Sequence, residues 1–458
     1  PTAGDSSCAP SPTFGTHPFF HTSAVTAPDR IYPTPVLWHL RQRHLLDAYL
    51  SAHGIDPAQV CATLAQLQAA PAGAAATDFG AQELAGLQGL QLISAVPPPP
   101  RSALLPFVFV QAVNLELTYS CNLACSHCLQ DGLRPSGPAL WPSITTLERV
   151  LEEAWLLGLT RTGVNVTGGE IFLVGSPVLE LLAAAAARGI PSRSNTNAWW
   201  GGGGAITIGA HHFSDDAAVV AALRQRNLGR LALSLDRRYL QYPDLLDRVI
   251  RVATLCERAQ QPYEVVATEP DAATARLAEQ KLHAALGHAP RHLRLTPMET
   301  VDIGAAAVQD GDSRTLDPAG IADLIHSAPC ATSGFHRPYY LHIAPDGGLR
   351  SCLYAPAAGW LGNVQQQSLA ALLNAAACNP VVQLFARGDF EAFIARTITP
   401  WRHLYTDPHH GCAASALVAR IAGEVERLEC SSGREANERE LEQLHRKISA
   451  EYRLKAPS

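Results

Sequence analysis

The sequence predicts an α/β protein whose main domain is an open, partial (β/α)6 barrel. From residue 107 onward, short apolar segments with strand character alternate with amphipathic helical segments. Six strand-then-helix units follow one another, and units of this kind form a parallel sheet with right-handed crossovers. Six units are too few to close an eight-stranded barrel, so we expect an open barrel.

The barrel is predicted to span residues 107–327. Its expected strands are Val113–Leu117, Gly163–Val166, Ile190–Ser194, Leu231–Leu235, Tyr263–Ala267 and His292–Leu295. One expected helix begins after Pro142, and the others include Leu179–Ala187, Leu245–Cys256 and Ala272–Leu286. Beyond residue 328 the alternation stops, and residues 328–458 form a further predicted domain that ends in two helices between Ala413 and Leu454.

Residues 1–96 precede the four-proline run Pro97–Pro100, which reads as a stiff linker. Phe19–Tyr32 is rich in strand-forming residues, and Val36–Leu50 has helical spacing. Asp56 is placed to cap a helix that has Pro57 in its first turn. We therefore expect a small α+β module at this end.

Composition excludes several classes of function. The 458 residues are 47% hydrophobic and 17% charged, with a net charge of −6, so nucleic acid is not an expected partner. No apolar run of 18 residues exists, and we expect no membrane span. The first thirty residues lack the pattern of a secretory signal, which favours a cytoplasmic protein with reduced cysteines.

The strongest motif is a group of three cysteines just beyond the first predicted strand. Cys121, Cys125 and Cys128 have the spacing C-x₃-C-x₂-C. Thiolates are soft ligands for iron–sulfur clusters, and three ligands leave one iron of a four-iron cluster open. A structural zinc site would need a fourth ligand, and three unrelated buried thiols are the remaining alternative.

This triad resembles the signature of the radical-SAM superfamily, in which His127 would pack near the adenine of S-adenosylmethionine. Further matches follow at the ends of predicted strands. The resemblance implies that Gly168, Gly169 and Glu170 hold the methionyl ammonium of the cofactor. Asn195 and Asn197 match the motif at the end of the family's next strand. Ser234 and Asp236 match the motif of the fourth strand, which contacts the ribose or the methionyl carboxylate. Thr296–Gly304 matches the region that borders the adenine. Ile171, Ala198 and Arg237 depart from the family, which has proline, glycine and glycine there.

The resemblance implies an enzyme with a [4Fe–4S] cluster that reductively cleaves S-adenosylmethionine to a 5′-deoxyadenosyl radical, which abstracts hydrogen from the substrate. A reductant such as flavodoxin or ferredoxin would supply the electron.

Later cysteines resemble the SPASM or twitch extension, which carries auxiliary clusters. We expect one auxiliary [4Fe–4S] cluster on Cys330, Cys352 and Cys412, with Cys378 as a candidate fourth ligand. Cys430 is not expected to join them, because a continuous helix over Ala413–Glu429 would separate it from Cys412. Inert buried thiols are the alternative.

The expected substrate is a ribosomally made precursor peptide, in which the enzyme would install a cross-link, an epimerisation or a similar modification. The N-terminal module would bind the leader of this peptide by strand addition. The module could instead be a cap over the open barrel. Other possible functions are oxidation of a residue on a folded protein, as in sulfatase maturation, a small-molecule or tetrapyrrole dehydrogenase, and a redox carrier.

Three remaining features receive weaker interpretations. The aromatic and glycine-rich segment Trp199–Gly204 is expected to be an exposed loop, or else a lid. The pairs His211–His212 and His409–His410 are expected at the surface, and Cys8, Cys61 and Cys256 are read as ordinary thiols.

Overall fold

A computed structural model of the protein describes residues 30–70, 73–97, 110–125, 128, 130, 139, 141–235, 239–242, 244–268, 272–298, 317–327, 339–350, 360–405 and 411–453. Most of Phe19–Tyr32 and the pair His409–His410 lie outside this part of the chain.

A nine-stranded, mostly parallel sheet organises the described residues. Its strands are β4 (Ala112–Glu116), β5 (Gly163–Thr167), β6 (Ser192–Thr196), β9 (Arg230–Ser234), β10 (Tyr263–Thr268), β11 (Leu293–Met298), β12 (Tyr340–Ile343), β13 (Gly348–Arg350) and β14 (Trp360–Asn363). The order across the sheet is β11-β10-β9-β6-β5-β4-β12-β13-β14. From β11 to β12 all neighbours are parallel, whereas β13 and β14 pair antiparallel. The prediction of an α/β protein with a parallel sheet is confirmed.

Helices connect these strands. They are α5 (Ile144–Leu156), α6 (Val178–Ala187), α7 (Asp216–Gln225), α8 (Leu245–Ala259), α9 (Ala272–Leu286) and α10 (Pro318–Ser327). In the series β4, β5, β6, β9, β10 and β11, each strand pairs with the one that follows it in the series. The right-handed crossovers that are usual for such units place the connecting helices on one side of the sheet. Between β6 and β9 the chain adds α7 and a hairpin that was not predicted, β7 (Ile206–Ile208) with β8 (His211–Phe213).

The two faces of the sheet differ in chemistry. Side chains alternate along each strand, so every second residue points to the same face. One face carries apolar residues such as Val113, Leu115 and Val166, which are buried in a common hydrophobic core with α5 and α6. The other face carries polar residues such as Asn114 and Asn165. The candidate site lies on this polar face and at the carboxyl ends of the strands.

The N-terminal module consists of β1 (Arg30–Pro33), β2 (Ala74–Ala75) and β3 (Ile93–Ser94), with α1 (Pro35–Gln42), α2 (Leu46–Ala52), α3 (Pro57–Ala69) and α4 (Ala81–Gly89). β1 is the central strand and pairs antiparallel with both others. Asp56 caps α3 through the amide of Ala58 at 3.0 Å, as predicted. The single helix expected over Val36–Leu50 is wrong, because the chain takes a left-handed turn at His44 (φ 57°) between α1 and α2.

The module packs against the large sheet domain. The ring Nε2 of His39 lies 2.8 Å from the carbonyl oxygen of Leu157, just after α5. The amide of Val36 donates to Asn374 Oδ1 at 2.9 Å, and Asn374 Nδ2 donates to the carbonyl of Gln91 at 2.9 Å. Asn374 belongs to α11 (Leu369–Ala377). The module therefore shares one hydrophobic core with the sheet.

A second hydrophobic core is helical. It joins α10 to α12 (Pro380–Arg387), α13 (Phe390–Thr397), α14 (Gly411–Ser432) and α15 (Glu438–Arg453). Continuous helix α14 confirms that Cys412 and Cys430 lie near opposite ends, roughly 27 Å apart along the axis at about 1.5 Å per residue. None of the described helices combines the length and apolar character that a membrane crossing requires.

Candidate functional site

The loop that carries the cysteine triad leaves the carboxyl end of β4 and runs beside the ends of β5 and β6. Two hydrogen bonds join it to the segment after β5: Gly169 N donates to Thr118 O at 2.7 Å, and Glu170 N donates to Ser120 O at 2.9 Å. These bonds continue the β4–β5 pairing beyond the strands. Backbone hydrogen bonds therefore join the triad loop to the Gly168–Glu170 segment without the help of a ligand.

Glycine is required at both positions of this contact. A Cβ atom on Gly168, whose φ is 139°, would lie 2.4 Å from Thr118 O, and one on Gly169 would lie 2.1 Å from Ser120 O. Real Cβ atoms do not approach oxygen so closely, so any larger residue would push the two segments apart. We expected these glycines to admit a ligand, and the described contacts show that they admit the neighbouring loop.

Glu170 is fully buried and joins the ends of β5 and β6. Its Oε1 accepts from Phe172 N at 2.9 Å, its Oε2 from Asn197 N at 2.8 Å, and both oxygens lie 3.1 Å from Thr196 Oγ1. Burial raises the pKa of Glu170 to about 7, against the opposing effect of these donors.

Asn197, which directly follows β6, connects the end of this strand to the triad loop. Its Nδ2 donates to Asn122 Oδ1 at 2.9 Å and lies 3.8 Å from Cys121 Sγ. Its Oδ1 accepts from Trp199 N at 3.0 Å, which orients the amide. The next residue, Ala198, is buried and has a left-handed φ of 59°. The family that the sequence resembles has glycine at this position, and glycine adopts such a φ without strain.

The triad cysteines differ in exposure: Cys125 is buried, while Cys121 and Cys128 are partly buried. Cys121 Sγ accepts from Leu123 N at 3.5 Å, in addition to its contact with Asn197. Hydrogen-bond donors near sulfur favour the thiolate, which is the form that binds iron. The donor chemistry of this loop therefore fits an iron–sulfur cluster. His127 lies outside the described residues.

A metal site depends on the positions of its ligands as well as on their donor atoms. In the described ranges, no three His, Cys, Asp or Glu side chains form a group that could hold a metal ion. Of the expected auxiliary ligands, Cys378 is exposed directly after α11 and Cys412 is buried in the first turn of α14. Cys330 and Cys352 lie outside the part of the chain that the structure describes.

The remaining predicted residues lie at the carboxyl ends of β6 and β9. Asn195 is partly buried in β6, and its Oδ1 accepts from Arg193 Nη1. Ser234 is the last residue of β9 and pairs with Val266 of β10. Asp236 lies outside the described residues. The matched motifs thus occupy the carboxyl ends of β5, β6 and β9, beside the triad loop after β4.

A row of polar residues crosses the polar face of the sheet and was missed by sequence reasoning. In register from β13 to β6, it consists of Arg350, His342, Asn114, Asn165 and Arg193, and we call it the polar row. The five share one face, and each is the in-register neighbour of the next. Polar residues at alternate positions of the predicted strands are the signal that would have found the row.

Two buried carboxylates neutralise the arginines at the ends of the polar row. Glu264 of β10 pairs with Arg193 and accepts from Thr296 Oγ1 at 2.8 Å. Burial alone would raise the pKa of Glu264, but Arg193 and these hydrogen bonds hold it below its usual value. At the other end, Arg350 Nη1 lies 3.7 Å from Glu116 Oε2 and donates to the Tyr119 hydroxyl at 2.8 Å. Burial raises the pKa of Glu116, against the opposing charge of Arg350.

The aromatic segment after β6 differs from expectation. Trp200 is only 1% exposed, and its indole N–H donates to Thr196 Oγ1 at 3.2 Å. Gly201 lies against α8, where a Cβ atom would be 2.7 Å from Arg248 O. The prediction of an exposed loop is therefore wrong for Trp200, which belongs to the core under the site. His212 is exposed as expected, and His211 is partly buried beside Glu180 at 3.0 Å.

Comparisons with known proteins assign no family, because no family model and no curated protein matches the sequence. The fold and the site define an α/β protein with a mostly parallel sheet, a cysteine-bearing loop at its carboxyl edge and a polar face.

Proposed function

We propose that the chain is a radical-SAM enzyme that modifies a ribosomally made precursor peptide, with its six sequential parallel strands forming a partial barrel. The observation that carries this proposal is the meeting of the triad loop with the predicted motif residues at one edge of the sheet. Active sites of parallel α/β folds lie at the carboxyl ends of the strands. Chain order alone does not require the motifs to meet there, so their meeting supports a common site.

The residues have distinct roles in this proposal. Cys121, Cys125 and Cys128 would hold a [4Fe–4S] cluster, which when bound supplies the electron for reductive cleavage of S-adenosylmethionine. Asn197 and the Leu123 amide donate toward the Cys121 sulfur and favour its thiolate. Gly169 holds the triad loop against β5.

S-adenosylmethionine would bind beside this loop, with the segments around Gly168–Glu170, Asn195 and Ser234 as its wall. His127 and Asp236 complete the proposed set from the sequence. The carboxylate of Glu170 accepts hydrogen bonds from Thr196, Asn197 and Phe172. We therefore propose that Glu170 positions these segments of the binding site.

An auxiliary cluster is proposed on Cys330, Cys352 and Cys412, with Cys378 as a fourth candidate. Cys412→Ala is expected to lower the iron content and Cys430→Ala to leave it unchanged, since Cys430 is exposed at the far end of α14. Equal iron in both variants and the wild type would remove the auxiliary cluster from the proposal. We also propose that the protein is cytoplasmic and receives its electron from a flavodoxin- or ferredoxin-type reductant.

Peptide modification is tested by co-expressing the enzyme with a candidate precursor peptide and measuring the mass of the peptide. With the reaction run in heavy water, we expect a loss of hydrogen masses for a cross-link or uptake of one deuterium for an epimerisation. Either change is expected to be lost in a variant with Cys121, Cys125 and Cys128 replaced by alanine. An unchanged peptide together with active cleavage of S-adenosylmethionine would retain the enzyme class and overturn the peptide substrate.

A further inference from the structure

We propose that Asn114, His342 and Arg350 form a subsite for a substrate carboxylate. The three residues are consecutive members of the polar row, on β4, β12 and β13. Strands β12 and β13 lie on the opposite side of β4 from β5, β6 and β9, which carry the residues proposed for S-adenosylmethionine. The inference deepens the proposed function, on which it rests for the identity of the substrate as a peptide.

The first observation is a chain of hydrogen bonds with a fixed direction. Arg193 Nη1 donates to Asn165 Oδ1 at 2.8 Å, and Asn165 Nδ2 donates to Asn114 Oδ1. A guanidinium can only donate, so Asn165 must present its oxygen to Arg193 and its amino group to Asn114. Asn114 must in turn use its oxygen here. Its amino group is left as the free end of the chain, directed away from Asn165.

The second observation is that this free end has no acceptor among the described residues. Asn114 is 3% exposed, and its Nδ2 is buried without a hydrogen-bond partner. In the same row, Arg350 is 5% exposed and its Nε is also buried without a partner, as is Nδ1 of His342 between them. Buried polar groups are nearly always paired, and Asn Nδ2 and Arg Nε can only donate, so these two atoms in one row point to a missing acceptor. Nδ1 of His342 can donate to the same acceptor in one of its two tautomers.

The charges identify the class of acceptor. Burial and the neighbouring Arg350 lower the pKa of His342 to about 3, so its ring is neutral. Burial also raises the pKa of Glu116, the carboxylate that faces Arg350, against the opposing charge of that guanidinium. The groups facing the subsite are therefore the guanidinium of Arg350, which also faces Glu116, and the neutral side chains of Asn114 and His342. A carboxylate, with two oxygens and a single charge, matches this set better than a doubly charged phosphate.

Two parts of a peptide can supply the carboxylate, namely an Asp or Glu side chain and the C-terminus. Three blocked amino acids separate these sources: N-acetylglutamate α-amide carries only a side-chain carboxylate, N-acetylalanine only a terminal one, and N-acetylglutamine α-amide neither. Calorimetric titration into the full chain, with and without its reconstituted iron and S-adenosylmethionine, measures binding of each probe.

We expect at least one carboxylate probe to bind and the neutral glutamine probe to bind at least about tenfold more weakly. Binding is expected to persist when S-adenosylmethionine is present. Equal binding of the acidic and neutral probes, or no binding of either acid, would overturn the subsite. Competition by S-adenosylmethionine would overturn its assignment to the substrate.

Two variants locate the binding. Asn114→Asp keeps the oxygen that Asn165 needs but turns the free donor into an acceptor, and Arg350→Lys keeps the charge beside Glu116 but removes Nε–H. Each is expected to weaken carboxylate binding about tenfold or more, whereas the matched control Arg294→Lys, exposed on β11 at the far edge, is expected to leave it unchanged. Thermal denaturation verifies that the variants fold.

Undiminished binding in folded Asn114→Asp and Arg350→Lys would contradict the proposal. The outcome is independent of the proposed reaction, because iron content and cleavage of S-adenosylmethionine are measured separately. Normal cleavage without carboxylate binding would refute the subsite alone, and carboxylate binding without cleavage would refute the radical-SAM assignment alone.

Discussion

At the residue scale, Glu170 is a buried acid whose described partners, Thr196, Asn197 and Phe172, are all neutral donors. Its pKa of about 7 in the folded protein exceeds the value of about 4.3 for an unfolded chain. The folded state therefore binds this proton more tightly. The stability that the raised pKa contributes is complete below about pH 4 and is lost as the pH rises through 7.

Glu170→Gln is expected to remove this pH dependence. Each unit of pKa difference corresponds to about 1.4 kcal/mol, so the wild type should lose roughly 1–3 kcal/mol of unfolding free energy relative to the variant between about pH 5 and pH 8. Urea denaturation at both pH values measures the difference. Glu148→Gln, at an exposed position on α5, is the matched control. Parallel behaviour of wild type and Glu170→Gln would contradict the expectation.

Gly169 offers a steric test of the contact between the triad loop and β5. The added Cβ of Gly169→Ala would lie 2.1 Å from Ser120 O, so the two segments must separate, at a cost of about 1–3 kcal/mol in unfolding free energy. Chemical denaturation measures the loss, and the iron content of the reconstituted protein should fall with it. Gly204→Ala is the control, because a Cβ there meets nothing within 4 Å. Equal stability of the two variants would show that the loop moves freely.

At the element scale, the N-terminal module and the sheet depend on each other. Helix α1 packs beside α11, and α2 packs beside α5. Between α1 and α2, the side chain of Leu45 lies so close to Gly158 that a Cβ atom on Gly158 would be 2.4 Å from Leu45 Cδ1. The Asn374 amide bridges Val36 and Gln91, which come from the first and last parts of the module's sequence. These contacts favour the role of a cap, and they leave strand addition at the outer edges of β2 and β3 as a separate hypothesis.

Removing residues 1–100 is expected to expose the apolar surfaces of α5 and α11. Since buried apolar area contributes about 25 cal/mol per Å², a surface of this kind favours aggregation when it meets water. We expect the shortened protein to be insoluble or poor in iron, as judged by the soluble fraction and by iron analysis. A soluble shortened protein that unfolds cooperatively and still binds iron would show instead that the module is an independent accessory.

At the scale of the whole molecule, the parallel sheet was predictable because its signals are local. Each strand-and-helix unit has its own apolar periodicity and its own turn residues, so Tyr263–Ala267 and Ala272–Leu286 were placed within a residue or two of β10 and α9. The break at His44 was not predictable in the same way. The residues on either side keep helical spacing, and only the tertiary contacts of α1 and α2 require the left-handed turn.

The candidate site was predictable only where a motif marks it. The spacing of Cys121, Cys125 and Cys128 singled out the triad loop, whereas the polar row has no contiguous motif. Its members come from strands as distant in sequence as β4 and β13, and they become neighbours only through pairing. The burial of Trp200 was missed for the same reason, since its cavity is formed by residues such as Phe172 and Thr196 on other elements or turns.

The proposal that the triad loop holds a cluster for the cleavage of S-adenosylmethionine is tested by measuring iron content together with 5′-deoxyadenosine production. Replacing Cys121, Cys125 and Cys128 by alanine should remove about four irons per chain and abolish 5′-deoxyadenosine formation. Cys61→Ala, at an exposed position on α3, should change neither quantity. Undiminished iron and cleavage in a folded triple variant would contradict the account.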